Sequence, residues 1–191
     1  MQDSKICLIM NVLLNIAMPA YRSNKALFYL IVLKMVNFSL KYGNSPSSSL
    51  AYVSYGIILC TKFHNYEAGF KFGELGLKVS DKFDNDQLKS MLYDIFAVFI
   101  YRWKMPGIKA ISYLKRAHSF GLEKASMYYA ALSALNIVSY SITFGERICK
   151  VKELVSEYFD FVSKSKIGDT ILDLEFLRNI IFALENSDED I

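Results

Sequence analysis

Along the whole chain apolar residues recur at spacings of three and four, the period of a helix face, and no stretch argues convincingly for a strand. The pattern predicts an apolar helix over 4–18, stopped around Pro19, whose ring cannot donate to the preceding turn. Asn24 then caps a longer helix over about 25–41, which Gly43 ends. The polar run Gly43-Asn44-Ser45-Pro46-Ser47-Ser48-Ser49 is the clearest punctuation, and Ser47 or Ser48 can cap a helix to about residue 62. Asn65 caps the next, to about Phe83, and Asp84-Asn85-Asp86 caps a further one through Trp103. Pro106-Gly107 breaks it, and others follow over roughly 108–119, 123–143 and 146–164, with Gly121 and Gly145 as stops. In the last of these Val151, Leu154, Val155, Tyr158 and Phe161 fall at helical spacing. Asp169 caps a final helix to about Glu185, and 186–191 is a frayed acidic tail.

Three glycines on one helix, Gly69, Gly73 and Gly76, need a reason, because each costs about 1 kcal/mol relative to Ala in a helix interior. Close approach of a neighbouring helix backbone supplies one. Gly69 and Gly73 also match a membrane dimer motif, but Lys71, Glu74 and Lys78 argue against a lipid setting.

An offset of 41 places Gly69 on Ala110, Gly76 on Ala117, Tyr52 on Tyr93 and Gly56 on Ala97; a further 37 carries Ala97 onto Ala134. Helix pairs at such a period announce a solenoid, because one hairpin cannot bury its own apolar face. The small residues follow the tetratricopeptide (TPR) pattern, without its Trp, its Leu-Gly pair and its closing Pro. The expected fold class is all-α: antiparallel helical hairpins stacked as a degenerate TPR-like superhelix. It forms one domain over 1–191, with a helix pair over 1–41, hairpins over 47–82, 85–120 and 123–164, and a terminal helix over 169–185. A compact helical bundle is the alternative.

Taking Gly56, Ala97 and Ala134 as equivalent turns, the concave face would present Val53, Ile57 and Cys60, then Asp94, Val98 and Tyr101, then Ala131, Leu135 and Val138. A face so apolar predicts a protein partner, a second copy of the chain, or cover by a terminal helix.

Composition narrows the rest. A 191-residue chain is most simply one domain with a substantial core, and 53% hydrophobic residues with 13 Tyr and 14 Phe supply it. A net charge of +3 with no basic run argues against nucleic acid. Three cysteines, Cys7, Cys60 and Cys149, sit far apart in apolar runs, as buried reduced thiols of a cytosolic protein would. With two histidines and no close Cys or His pair, no zinc site can be written, and no cofactor is expected. The uncharged stretches between Lys5 and Arg22 and over 125–145 read as buried helices rather than membrane spans, the first interrupted by Asn11, Asn15 and Pro19 and the second holding Asn136 and four serines.

Catalytic chemistry has few footholds. Cys60 and His64 stand four apart, as a thiol–imidazole pair would, but without an obvious third orienting group. Trp103 between Arg102 and Lys104 reads as a packing anchor. Ser45 and Ser47 to Ser49 form a flexible loop open to phosphorylation.

The ordered runs KYGNSPSSSLAYVSYGIILC, YEAGFKFGELGLKVSDKF and LYDIFAVFIYRWKMPGIKAISYLKRAHSFGLEKASMYYAALSA resemble the helical-repeat segment of very large bacterial signalling kinases, over roughly residues 25–145. In those proteins a serine/threonine kinase domain and an AAA-type ATPase precede this segment, and GAF and histidine-kinase modules follow it. The resemblance implies a cytoplasmic regulatory scaffold that is not itself an enzyme. The chain has no His-Arg-Asp, no Asp-Phe-Gly and no Gly-Lys-Ser/Thr loop, so no catalytic residue carries over.

Overall fold

The computed structural model describes residues 3–83 and 86–187, and among these the chain is all-helical. Among the described residues nine α-helices follow one another: α1 (Ser4–Ser23), α2 (Lys25–Tyr42), α3 (Ser48–Lys62), α4 (Tyr66–Phe83), α5 (Asp86–Phe99), α6 (Ile111–Glu123), α7 (Met127–Thr143), α8 (Ile148–Ser165) and α9 (Gly168–Ser187). Residues 84 and 85 of the expected Asp84-Asn85-Asp86 cap and residues 188–191 of the tail expected over 186–191 lie outside the described residues, while helix α9 takes in 186 and 187.

Several boundaries correct the sequence reading. Helix α1 runs through Pro19 instead of stopping there. Proline removes one donor close to the helix end, and the last turn is held otherwise: the Asn24 N–H bonds the Ala20 carbonyl at 2.8 Å, and Ser23 Oγ donates to the Pro19 carbonyl at 3.0 Å. Asn24 also caps α2, its Oδ1 accepting from the Leu27 N–H at 3.1 Å. Helix α5 ends at Phe99, and Tyr101–Trp103 continue as a separate 3-10 turn. Gly121 lies inside α6 and stops nothing; the helix ends one turn later, where Ala125 takes the left-handed conformation at φ 55° and the Ser126 N–H bonds the Gly121 carbonyl at 2.8 Å. The ends of α3 and α7 use the same geometry, with His64 at φ 51° and Gly145 at φ 78°.

The serine loop also departs from expectation. Ser45, Ser47, Ser48 and Ser49 are buried, not displayed. Ser48 Oγ accepts from Ser39 Oγ at 2.7 Å and from the Ser45 N–H at 2.9 Å, while Ser47 Oγ donates to Asn11 Oδ1 at 2.7 Å. The loop is therefore a polar knot joining α1, α2 and α3. Buried hydroxyls satisfied in this way are out of reach of a kinase in the folded chain.

Each helix packs on its successor, and α1, α3, α5, α7 and α9 also touch one another in succession. The α3–α4 hairpin is close-packed because its glycines let the backbones meet. A methyl group on Gly56 would lie 2.6 Å from the Gly69 carbonyl, and one on Gly76 would lie 2.7 Å from the Ser49 carbonyl. Gly73 differs, since its missing side chain makes room for the Phe96 ring of α5. The matching residues Ala97, Ala110, Ala117 and Ala134 are all sealed in the core. An aromatic cluster of Phe70, Phe96, Tyr101 and Tyr113 ties α4 to α5 and α6, with ring centroids 5.0–6.0 Å apart.

Large apolar side chains stay exposed at both ends of the helix series: Leu8 and Val12 on α1, Leu27 and Leu30 on α2, Leu172, Phe176 and Phe182 on α9. Among the described residues α1 is the one helix long and apolar enough to cross a membrane, by length and composition alone. The other uncharged stretch forms α7, a core helix whose Ala130, Ala131, Ala134, Ile137 and Val138 are completely buried.

Candidate functional site

The nine residues expected on a concave face do not form an open one. Val53, Cys60, Ala131 and Val138 are sealed, Ile57, Asp94, Tyr101 and Leu135 are buried, and Val98 is half-buried. Helix α3 shows why: α1, α2, α4 and α5 all touch it, so it is buried nearly all round. Spacing along one helix marks a face but not what covers it, and here the chain covers its own.

Cys60 and His64 do not meet in a hydrogen bond among the described residues. The Cys60 sulfur sits where a side chain on Gly69 would go, in the α3–α4 contact. Burial pushes its thiol up, away from the nucleophilic thiolate. His64 lies in the exposed corner after α3 and faces Tyr66, Nδ1 to hydroxyl at 3.4 Å. His118 is structural in its surroundings: its Nδ1 lies 2.8 Å from the Ala130 carbonyl, which can only accept, and its ring meets the edges of Tyr158 and Phe161. Trp103 stacks on Tyr66 with centroids 5.2 Å apart and planes 7° from parallel, and the neighbouring Lys104 pairs with Glu67 at 2.7 Å. No group of three or more His, Cys, Asp or Glu among the described residues is placed to hold a metal ion.

One polar constellation stands out. Asp94 of α5 is 2% exposed. Its Oδ1 accepts from Ser133 Oγ at 2.9 Å and from Asn136 Nδ2 at 3.0 Å, both on α7. Desolvation pushes its carboxyl up from 3.8 to about 6, and the two hydrogen bonds recover part of that. No cation among the described residues pairs with it. Its partners lie 39 and 42 residues away, so nothing near Asp94 in the sequence announces them. The one available signal is that Asp94 is the single charge between Lys89 and Arg102.

Asp94 also lines an apolar cavity of about 570 Å³ between α1, α2, α3, α5 and α7. Met18, Phe28, Ile57, Ile95, Phe99 and Leu132 form much of its wall. Arg22 at the end of α1 reaches it as well and donates to the Tyr128 hydroxyl at 2.9 Å.

Comparison with curated proteins finds a signalling relative. Hybrid signal transduction histidine kinase G of Dictyostelium discoideum is 22% identical over 176 residues, which cover 91% of this chain. The same alignment spans 5% of that protein's length. The similarity associates the chain with signalling kinases at the level of remote homology. That relative is eukaryotic, so the bacterial and serine/threonine-kinase parts of the expected resemblance find no support in it. No family model matches the chain, and no solved structure matches it.

Proposed function

We propose that the chain is a non-catalytic helical-repeat module of a histidine-kinase signalling protein, making protein–protein or interdomain contacts in the cytoplasm. The observation that carries this reading is the alignment: nearly the whole chain corresponds to a small segment of a very long signalling kinase. Packing of each helix on its successor and of odd-numbered helices on one another suits stacked hairpins of the TPR-like kind. Repeat stacks bind through the faces their own helices leave open. Leu172 and Phe176, four apart and 65% exposed on α9, and Leu8 and Val12 on α1 offer such faces to further helices or to a second copy of the chain. Burial of Cys60 in the α3–α4 contact, with its thiol pushed up, weighs against the small-enzyme alternative.

Light scattering behind a sizing column tests the proposal. A mass above one chain that falls to one chain in a Leu172→Asp/Phe176→Asp variant with unchanged helical content supports contact through α9. A chain that stays monomeric at high concentration, binds no part of a signalling kinase and turns over a substrate unaided would refute it.

A further inference from the structure

Two buried polar groups in the cavity have hydrogen-bonding capacity that the chain does not use. Both donors to Asp94 bond Oδ1, so Oδ2 takes none among the described residues. The Ser54 hydroxyl, on α3 and in the same wall, likewise has no partner among them, although Ser54 is 3% exposed. Neither oxygen is among the fully enclosed unpaired atoms, a class that Ser80 Oγ alone represents among the described residues. Residues so deeply placed, with oxygens neither bonded nor enclosed, must open them onto the cavity that they line.

An uncompensated carboxylate in an apolar setting is unfavourable, and a cation brought to it relieves that burden. Arg22, the cation in the same wall, gives one bond to the Tyr128 hydroxyl and forms no ion pair with Asp94 among the described residues. The remaining wall is aliphatic and aromatic, and it offers a large shaped volume with little competition for polar contacts.

We propose that this cavity is a binding site for a small organic amine with an aromatic or branched apolar body, its ammonium donating to Asp94 Oδ2 and its body seated among Met18, Phe28, Ile57, Ile95, Phe99 and Leu132. Ser54 Oγ is a second polar contact, open to a further donor or acceptor on the ligand. Helix α1 supplies Met18 and Arg22, while α2, α3, α5 and α7 supply the other walls. Occupancy therefore bridges the exposed N-terminal helix to the core, and the site is independent of the partner reading above.

Calorimetric titration of the full chain tests it, with tryptamine as the probe and indole-3-ethanol as its neutral counterpart. Tryptamine should bind saturably at one site, and indole-3-ethanol about tenfold more weakly. Asp94→Asn, which keeps the shape and the Oδ1 acceptor, should weaken tryptamine about tenfold and leave indole-3-ethanol within about threefold. Methyl NMR shifts on binding should fall on Met18, Ile57, Ile95 and Leu132. Leu132→Trp, which fills the cavity without touching Asp94, should remove binding of both probes, so the test survives a misfolded Asp94 variant. Absence of saturable tryptamine binding to the folded wild type, equal affinity in Asp94→Asn, or shifts confined to other residues would overturn the proposal.

Discussion

Asp94→Asn makes a stability prediction that needs no ligand. The side chain is buried, and its carboxyl is pushed up from 3.8 to about 6 because burial outweighs the bonds from Ser133 and Asn136. At about 1.4 kcal/mol per pH unit, a gap of roughly 2 pH units is worth about 3 kcal/mol. The sign follows from proton counting. Between pH 4 and 6 the native Asp94 holds a proton that the unfolded chain has released, so the contribution of Asp94 to stability falls as pH rises through that window and then levels off. The neighbouring phenols titrate far above that window: Tyr129 is pushed up to about 12 by burial, and Tyr140 is raised for the same reason. Asparagine keeps an oxygen for both donors and carries no charge to desolvate. The variant should therefore exceed the wild type by up to about 3 kcal/mol above neutral pH, with the gain vanishing near pH 4. Urea unfolding followed by far-UV circular dichroism, repeated across this pH range, measures the difference directly. A gap that does not change with pH, or an Asn variant less stable than the wild type at about pH 8, would refute the reasoning.

Three further outcomes follow from the same geometry. Gly69→Ala should destabilise by about 2 kcal/mol, because its methyl would stand 2.8 Å from the Gly56 carbonyl, whereas Gly168→Ala meets nothing within 4 Å and should be neutral or stabilising by up to about 1 kcal/mol; equal effects in chemical denaturation would refute the close-packing account. Ala125→Gly should stabilise by about 1 kcal/mol, since φ is 55° at an exposed helix end, and an unchanged melting temperature would count against it. In the folded chain a thiol reagent should modify exposed Cys149 well before buried Cys60, followed by peptide mass spectrometry; rapid labelling of Cys60 would revive the nucleophile reading.

Much of the fold was legible because helices are encoded locally. Caps such as Asn24, the stops at Gly43 and Gly145, and the apolar period place most helices within a few residues of their observed bounds. The errors occur where a local signal was overridden or missing. Pro19 reads as a stop, yet near the end of a helix it forfeits a single bond that the final turn survives. Ala125 closes α6 in a conformation that glycine normally signals, so the chain gives no warning of that end and Gly121 reads as the stop instead. Serines after Pro46 read as a solvent-exposed loop because their partners Asn11 and Ser39 belong to earlier helices.

The site was legible only in part, and the same distinction explains it. Spacing grouped Val53, Ile57 and Cys60, then Asp94, Val98 and Tyr101, then Ala131, Leu135 and Val138 as one open concave face, and the bonds from α7 to α5 span 39 to 42 residues, near the offsets of 41 and 37 that align the small residues. An interval of that size carries one helix onto the helix two places along, so periodicity finds which residues can meet. It does not find how tightly they close. Small residues at Gly56, Ala97 and Ala134 let neighbouring helices approach, turning an expected groove into core. What stays open is the volume where α1 and α2 meet α3, α5 and α7, next to the one unpaired carboxylate on that succession. A buried carboxylate there, in a wall whose other polar groups are Arg22, Ser54 Oγ and tyrosine hydroxyls, is the group that the proposed amine would meet.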